Sequence, residues 1–143
     1  MKLAGTSAKT PKVMLVDDSD TDLFINETMI KYAQLSDDII SFSSSTKALE
    51  HLKLVSKDAE STQDVPDIIF LDINMPLLNG FEFIREYQAL PTHVKAKCQI
   101  ILLSSTFNSN DIQKGADDSH VIGLIAKPLT IESLNEMLGS AQD

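Results

Sequence analysis

The sequence predicts an α/β fold in which a parallel five-stranded sheet carries helices on both faces. Five short apolar runs alternate with segments of helical periodicity, and the connections between the runs are too long for hairpins. The third run, residues 68–71, has four consecutive apolar residues, which is typical of a strand buried on both faces. Right-handed crossover connections between the parallel strands are therefore expected.

The predicted elements cover nearly the whole chain after residues 1–10, which lack periodicity and are expected to form a flexible tail. Strands are predicted at residues 12–16, 39–42, 68–71, 99–103 and 121–126. Helices are predicted at about residues 20–34, 46–55, 81–90, 108–116 and 131–138. The segment at residues 108–116 is short and polar, so it is the weakest predicted helix and the best candidate for a mobile element.

Capping residues support the first and last of these helices. Ser19 or Asp20 can cap the first helix, and Thr130 can cap the last. The helical spacing places Asp22 and Glu27 on the side of the first helix that is expected to face solvent.

The composition restricts the classes of function. A formal net charge of −9 argues against non-specific binding to nucleic acid or to an anionic membrane surface, since both need a basic face. One cysteine excludes an internal disulfide framework and fits a reducing compartment. No apolar run approaches the ~20 residues of a membrane span, and the N-terminus lacks the apolar core of a signal peptide. We therefore expect a cytoplasmic protein with no nucleic-acid or membrane partner.

Polar side chains end the strands at positions that the predicted fold brings together. In a parallel sheet all carboxyl ends lie along one edge, and ligands of such sheets bind there. The residues that arrive at this edge are Asp17, Asp18, Asp72, Ser104 and Lys127. We call this carboxyl edge of the sheet the rim.

The rim has the chemistry of a phosphoryl-transfer site. Three neighbouring carboxylates repel one another and recruit a cation, and Mg²⁺ prefers carboxylates, carbonyl oxygens and waters. Asp18, Asp72, a water-bridged Asp17 and the loop carbonyl after Asp72 suit that ion. A carboxylate can then attack a phosphoryl group, while Lys127 and Ser104 contact its oxygens.

Each residue also has an ordinary structural interpretation. Asp72 can simply start a turn, and Asp17 with Asp18 can cap the first helix. Ser104 can be an ordinary strand-end hydroxyl, and Lys127 a solvated charge before a proline turn. Their joint arrival at successive strand ends favours one common site.

The histidines and the cysteine fall outside the rim. His51, His93 and His120 end no strand there and have no metal-ligand spacing, and Cys98 lies at the opposite end of its strand. We expect surface or packing roles for them.

Taken together, these residues resemble the receiver domain of two-component response regulators, over about residues 12–138. The motifs that carry the resemblance are Leu15-Val16-Asp17-Asp18, residues 68–76 with Asn79-Gly80, Leu103-Ser104-Ser105, and Lys127-Pro128. The resemblance implies a flavodoxin-like (βα)5 fold, a doubly wound parallel sheet with strand order 2-1-3-4-5. In that family the peptide before this proline is often cis, so the resemblance implies that a cis Lys127-Pro128 peptide can occur here too.

The resemblance implies a phosphoacceptor role. Asp72 would accept a phosphoryl group from a histidine kinase or a histidine phosphotransfer protein. Asp17 and Asp18, with Asp72 and the Asn74 carbonyl, would hold Mg²⁺. The switch hydroxyl of the family corresponds to Ser104.

Further positions follow from the same resemblance. Lys127 takes the place of the family's invariant lysine, and Asn74 and Thr106 would flank the path of the water that hydrolyses the phosphoryl group. Leu124 stands where the family usually has an aromatic switch residue, so a coupled aromatic swing is not expected. About five residues follow Leu138, so residues 11–143 are expected to form a stand-alone receiver without an output domain, which relays the phosphoryl group or binds a downstream protein.

Two other functions have to be weighed against this one. Phosphatases of the haloacid dehalogenase type also form a phosphoaspartate, but they carry Asp-x-Asp on the first strand, whereas here Asp72-Ile73-Asn74 ends a middle strand. A receiver-like adaptor that binds without phosphorylation has no need of the five rim residues, all of which are present.

Overall fold

The computed structural model describes residues 11–57, 62–75, 78–105 and 120–139. The strands are β1 (Lys12–Val16), β2 (Asp38–Phe42), β3 (Ile68–Asp72), β4 (Gln99–Ser104) and β5 (Val121–Ala126). The helices are α1 (Asp20–Tyr32), α2 (Ser45–Val55), α3 (Gly80–Tyr87), α4 (Thr92–Lys97) and α5 (Ile131–Leu134), the last continuing as a π-helical turn, Asn135–Gly139.

The five strands form one sheet in the order β2-β1-β3-β4-β5, and every neighbouring pair is parallel. The predicted α/β fold and its strand order 2-1-3-4-5 are confirmed. β3 is central, and all five of its residues are buried, as expected for a strand covered on both faces.

Alternate residues of the strands face two separate apolar cores. One core joins the sheet to α2 and α3, with Met14, Ile69, Leu52 and Phe83 among its members. The other joins the opposite face to α1 and α5, through residues that include Leu15, Phe70, Ile30 and Leu134. Packing on both faces holds the central strands, and therefore their carboxyl ends, in fixed positions.

The edge strands are less enclosed than the centre. β2 is half-buried or exposed along its length. β5 has one extra residue relative to β4: Ile100 pairs with Val121 and Ile101 pairs with Gly123. Ile122, between these two pairs, is 38% exposed. The sheet is thus most completely buried at β1, β3 and β4.

The structure differs from the sequence prediction at α4, a helix of six residues that was not expected. Its sequence is mostly polar, and Val94 is its one buried residue, so it has no apolar period that could be read from the sequence. The predicted tail at residues 1–10 and the predicted helix at residues 108–116 lie outside the described residues. Of the helices that are described, α1 is the longest with 13 residues, and none has the length and apolar character of a membrane-spanning segment.

Candidate functional site

Two buried carboxylates lie side by side at the rim. Asp72 is the last residue of β3, and Asp17 directly follows β1, whose Val16 pairs with Leu71. The hydrogen-bonded ladder continues past Asp17, whose backbone N–H donates to the Phe42 carbonyl at 3.1 Å. Only 1% of Asp17 and 2% of Asp72 is exposed. The central strands therefore hold both carboxylates rigidly and shield them from water.

Lys127 connects these carboxylates to α1. Its Nζ lies 3.0 Å from Asp17 Oδ2, 2.9 Å from Asp22 Oδ2 and 3.3 Å from Asp72 Oδ2. Its backbone N–H donates to the Ser104 carbonyl at 2.8 Å, and the peptide that follows is cis. Since 12% of the side chain is exposed, Lys127 is not the solvated charge of the ordinary interpretation.

The start of α1 explains the orientation of Asp17. Ser19 is the N-cap, and its Oγ accepts a hydrogen bond from the Asp22 N–H at 3.2 Å. The Ser19 N–H donates in turn to Asp17 Oδ1 at 2.9 Å. Neither Asp17 nor Asp18 is the cap, so that interpretation of the pair is wrong.

Ser104 is linked to Asp72 through one intermediate residue. Asp72 Oδ1 accepts from the Asn74 backbone N–H at 3.0 Å, an arrangement typical of an Asp that begins a turn. The side-chain amide of Asn74 donates to Ser104 Oγ at 3.0 Å. Ser104 is fully buried at the end of β4. Asp72 therefore starts a turn and also belongs to the charged cluster.

The rim has the donor atoms of a site for a hard divalent cation. Asp17, Asp18 and Asp72 each present a carboxylate oxygen, and these oxygens all lie within 4.8 Å of one another. Asp18 is exposed, so the cluster opens to solvent on one side. Carboxylate oxygens at this spacing fit the ligand preference of Mg²⁺.

The charges of the cluster shift two pKa values. Burial raises the pKa of Asp17 to about 6, and the neighbouring charge of Asp72 adds to the rise, against the hydrogen bonds from Ser19 and Lys127. Burial lowers the pKa of Lys127, but its hydrogen bonds to Asp22 and Asp17 outweigh that effect and leave the pKa above its ordinary value. Lys127 is thus a permanent cation.

Comparison with known proteins identifies the family. The family model described as "Response regulator receiver domain" matches residues 13–139.

The chain belongs to the response regulator receiver family.

Solved receivers share the fold of this one. A two-component response regulator from Cytophaga hutchinsonii is 30% identical, with a TM-score of 0.80, over 94% of this chain and 98% of that one. A response regulator receiver protein from Dyadobacter fermentans is 35% identical, with a TM-score of 0.76, over 90% of this chain and 95% of that one.

Curated relatives of the receiver are much longer proteins. A hybrid signal transduction histidine kinase of Dictyostelium discoideum is 29% identical over 135 residues, which are 90% of this chain and 11% of the relative. A gliding motility regulatory protein of Myxococcus xanthus is 26% identical over 92% of this chain and 15% of the relative. The receiver thus spans about a tenth to a seventh of their length. Receiver domains are phosphoacceptor signalling domains of two-component systems, and they generally bind Mg²⁺ at acidic residues.

Asp22 is the residue of this receiver's site that sequence reasoning missed. The helical spacing placed it on the solvent side of α1, yet its carboxylate contacts Lys127 and its side chain is 35% exposed. Glu27 does face outward, where it pairs with Lys31. A signal was present: Asp22 lies in the first turn of a helix that begins at the rim, close to other strand ends.

Thr106 and Leu124 are the two remaining positions that the family resemblance singles out. Thr106 lies outside the described residues of the receiver. Leu124 is half-buried in β5 and lines an open cavity of about 530 Å³ between β5 and the last helical segment, together with Thr130, Glu136 and Met137.

The histidines and the cysteine lie away from the cluster. The ring of His51 packs against Phe42, with ring centroids 5.3 Å apart, and His120 packs edge-on to Tyr87 at 5.6 Å. His93 is half-buried in α4. Cys98 is buried and donates to the Pro66 carbonyl at 3.0 Å, and burial raises the pKa of its thiol to about 12.

Proposed function

We propose that this receiver accepts a phosphoryl group on Asp72 from a histidine kinase or a histidine phosphotransfer protein, in a Mg²⁺-dependent reaction in the cytoplasm. The observation that carries the proposal is the position of the Asp72 carboxylate, which is buried, 3.3 Å from the Lys127 ammonium and beside two further acidic residues. A buried nucleophile with a cation and a metal-ligand set in reach is what phosphoryl transfer requires.

The transfer is an attack of an Asp72 carboxylate oxygen on the phosphorus of the donor. The phosphorus–nitrogen bond of the donor phosphohistidine breaks, and the leaving imidazole takes up one proton from solvent. An acyl phosphate remains on Asp72. The rigid end of β3 presents the carboxylate in one orientation, because the Asn74 N–H holds its other oxygen at 3.0 Å.

The remaining rim residues stabilise the charge of the phosphoryl group. Lys127 already contacts the Asp72 carboxylate, and its compact ammonium group can form an ion pair with an oxygen of the incoming phosphoryl group. Asp17 and Asp18, with Asp72 and the Asn74 carbonyl, would hold Mg²⁺, which would neutralise the equatorial oxygens. Lys127 and a bound Mg²⁺ would together balance the negative charge that accumulates on Asp72.

Phosphorylation would change the receiver's surface through Ser104. Its hydroxyl now accepts from the Asn74 side chain, and it would turn to donate to a new phosphoryl oxygen. Ser104 ends β4, beside the end of β5, so its movement would alter the surface at this edge of the sheet and thus the binding of a downstream protein. Slow hydrolysis, with Asn74 and Thr106 flanking the water path, would reset the switch.

The test is the intact mass of the protein after incubation with Mg²⁺ and a small phosphodonor such as acetyl phosphate. One phosphoryl adduct is expected on the wild type, none on Asp72→Asn, and none after chelation of Mg²⁺. Asp38→Asn is the matched control, since Asp38 also pairs with a lysine, at 2.9 Å, but at the other end of the sheet. Turnover of many phosphate esters would instead indicate a phosphatase, and no adduct would indicate an adaptor.

A further inference from the structure

The first turn of α1 does not form the complete pair of capping hydrogen bonds that α3 forms. In a capping box, the N-cap side chain accepts from the third helical residue's N–H, and that residue's side chain accepts from the N-cap N–H. α3 has the complete box: Asn79 Oδ1 accepts from the Glu82 N–H at 3.0 Å, and Glu82 Oε1 accepts from the Asn79 N–H at 2.8 Å. The acidic side chain of α3 is therefore used to close its own helix.

In α1 only half of that box is formed. Ser19 Oγ accepts from the Asp22 N–H, as in α3, but the Ser19 N–H donates to Asp17 Oδ1 at 2.9 Å. The Asp22 carboxylate, released from capping, lies 2.9 Å from Lys127 Nζ, across 105 residues of sequence. The same helical position thus closes the helix in α3 and serves the rim in α1.

Among the described residues, Lys127 consequently has one carboxylate partner outside the metal-ligand set. An ammonium has three donors, and those of Lys127 face Asp17, Asp22 and Asp72. Two of these carboxylates belong to the set of oxygens that can hold a metal, whereas Asp22 does not. If Asp17 and Asp72 turn to a metal, Asp22 is the one described carboxylate that still pairs with Lys127.

We propose that Asp22 is a positioning residue, which holds the Lys127 ammonium on the α1 side of the rim and so leaves Asp17 and Asp72 available to Mg²⁺. The proposal rests on the proposed function of the rim. Without Asp22, a largely buried ammonium would have to give up its remaining carboxylates or compete with the metal for them, and an unpaired buried charge is costly. Removing Asp22 should therefore weaken Mg²⁺ binding by more than the loss of one nearby negative charge would.

The test is the Mg²⁺ affinity of the full chain, measured by isothermal titration calorimetry at pH 7.5. Asp22→Asn is expected to weaken binding by about three- to tenfold. Asp20→Asn removes the same charge from the same helical turn, but Asp20 is exposed and is not one of the three carboxylates on Lys127, so a change within about twofold is expected. Asp22→Glu, which can still reach the amine, should restore most of the affinity.

A double-mutant cycle separates an effect through Lys127 from a direct effect of charge. In a Lys127→Met background, Asp22→Asn should change the affinity no more than Asp20→Asn does. Equal effects of the two substitutions in the wild-type background, or an undiminished effect of Asp22→Asn without Lys127, would overturn the proposal. Urea unfolding of each variant checks that the fold is retained.

The outcomes distinguish this inference from the function on which it rests. A wild type that binds Mg²⁺ and forms the Asp72 adduct, with Asp22→Asn indistinguishable from it, overturns the role of Asp22 alone. A wild type that binds no Mg²⁺ overturns the proposed function and the role of Asp22 together.

Discussion

The two ends of the sheet both carry lysine–aspartate pairs, but they differ in charge balance and burial. At the amino end, Lys12 lies 2.9 Å from Asp38, and Lys97 lies 4.0 Å from Asp67. Lysines and aspartates are equal in number in these pairs, and 22% to 56% of each side chain is exposed. Such pairs are well solvated and contribute little to stability.

At the carboxyl end, one lysine faces an excess of carboxylates. Lys127 contacts Asp17, Asp22 and Asp72, and the first and last of these are almost completely buried. A surplus of buried negative charge is unfavourable for the isolated protein. Among the described residues, the ion pairs at the two ends of the sheet therefore differ: the amino-end pairs are balanced, and the rim carries a surplus of carboxylates that a bound cation would neutralise.

The largest expected effect comes from removing Lys127, the cation that the structure places among the buried carboxylates. Lys127→Ala removes the ammonium that Asp17 and Asp72 share and leaves them only their backbone hydrogen bonds, so the free energy of unfolding should fall by about 3 kcal/mol. Urea denaturation in the absence of Mg²⁺ measures this change. A loss below about 1 kcal/mol would mean that the cluster is solvated like the amino-end pairs.

A smaller effect is expected from pH. The pKa of Asp17 is raised to about 6, so Mg²⁺ must displace a proton below that pH. The affinity should be about tenfold weaker at pH 5 than at pH 7.5, as titration calorimetry can show. Because the folded-state pKa lies above the unfolded value, this group makes the metal-free protein less stable as pH rises from about 4 through about 6. An affinity that does not depend on pH would contradict the buried state of Asp17.

The smallest effect is expected at the amino end. Lys12→Ala breaks the exposed pair with Asp38 and should change the free energy of unfolding by less than about 1 kcal/mol. It should leave the Mg²⁺ affinity unchanged, since the pair lies at the opposite end of β1 from Asp17. A decrease in the free energy of unfolding as large as that expected for Lys127→Ala would show that the ion pairs at the two ends of the sheet do not differ in strength.

The fold was predictable because the patterns that determine it lie within short stretches of sequence. The continuous apolar run that forms β3 and the alternation of strands with helices determine a parallel sheet, and a parallel sheet brings strand ends to one edge. The strand order came from the family resemblance, and the structure confirms it. α4 could not be predicted, because a six-residue polar helix with one buried side chain, Val94, has no period to detect.

The position of Asp22 in the first turn of α1 predicts that it lies near the rim, but it does not predict the contact with Lys127. The two residues are 105 positions apart, and the direction of the Asp22 carboxylate depends on which group binds the Ser19 N–H. Helical periodicity assigns a residue to a face, but it does not determine the outcome of competition between Asp17 and Asp22 for one backbone donor. The outcome depends on the relative positions of Asp17, Ser19 and Asp22 in the folded protein.

The most direct test of the account is the position of the phosphoryl group. The protein is incubated with Mg²⁺ and acetyl phosphate, the acyl phosphate is reduced with borohydride, and the peptides are mapped by mass spectrometry. Reduction is expected at residue 72 alone, with the signal lost when Mg²⁺ is chelated. Reduction at another aspartate, or none in a protein that is shown to be folded, would contradict the claim that the rim is a phosphoacceptor site built around Asp72.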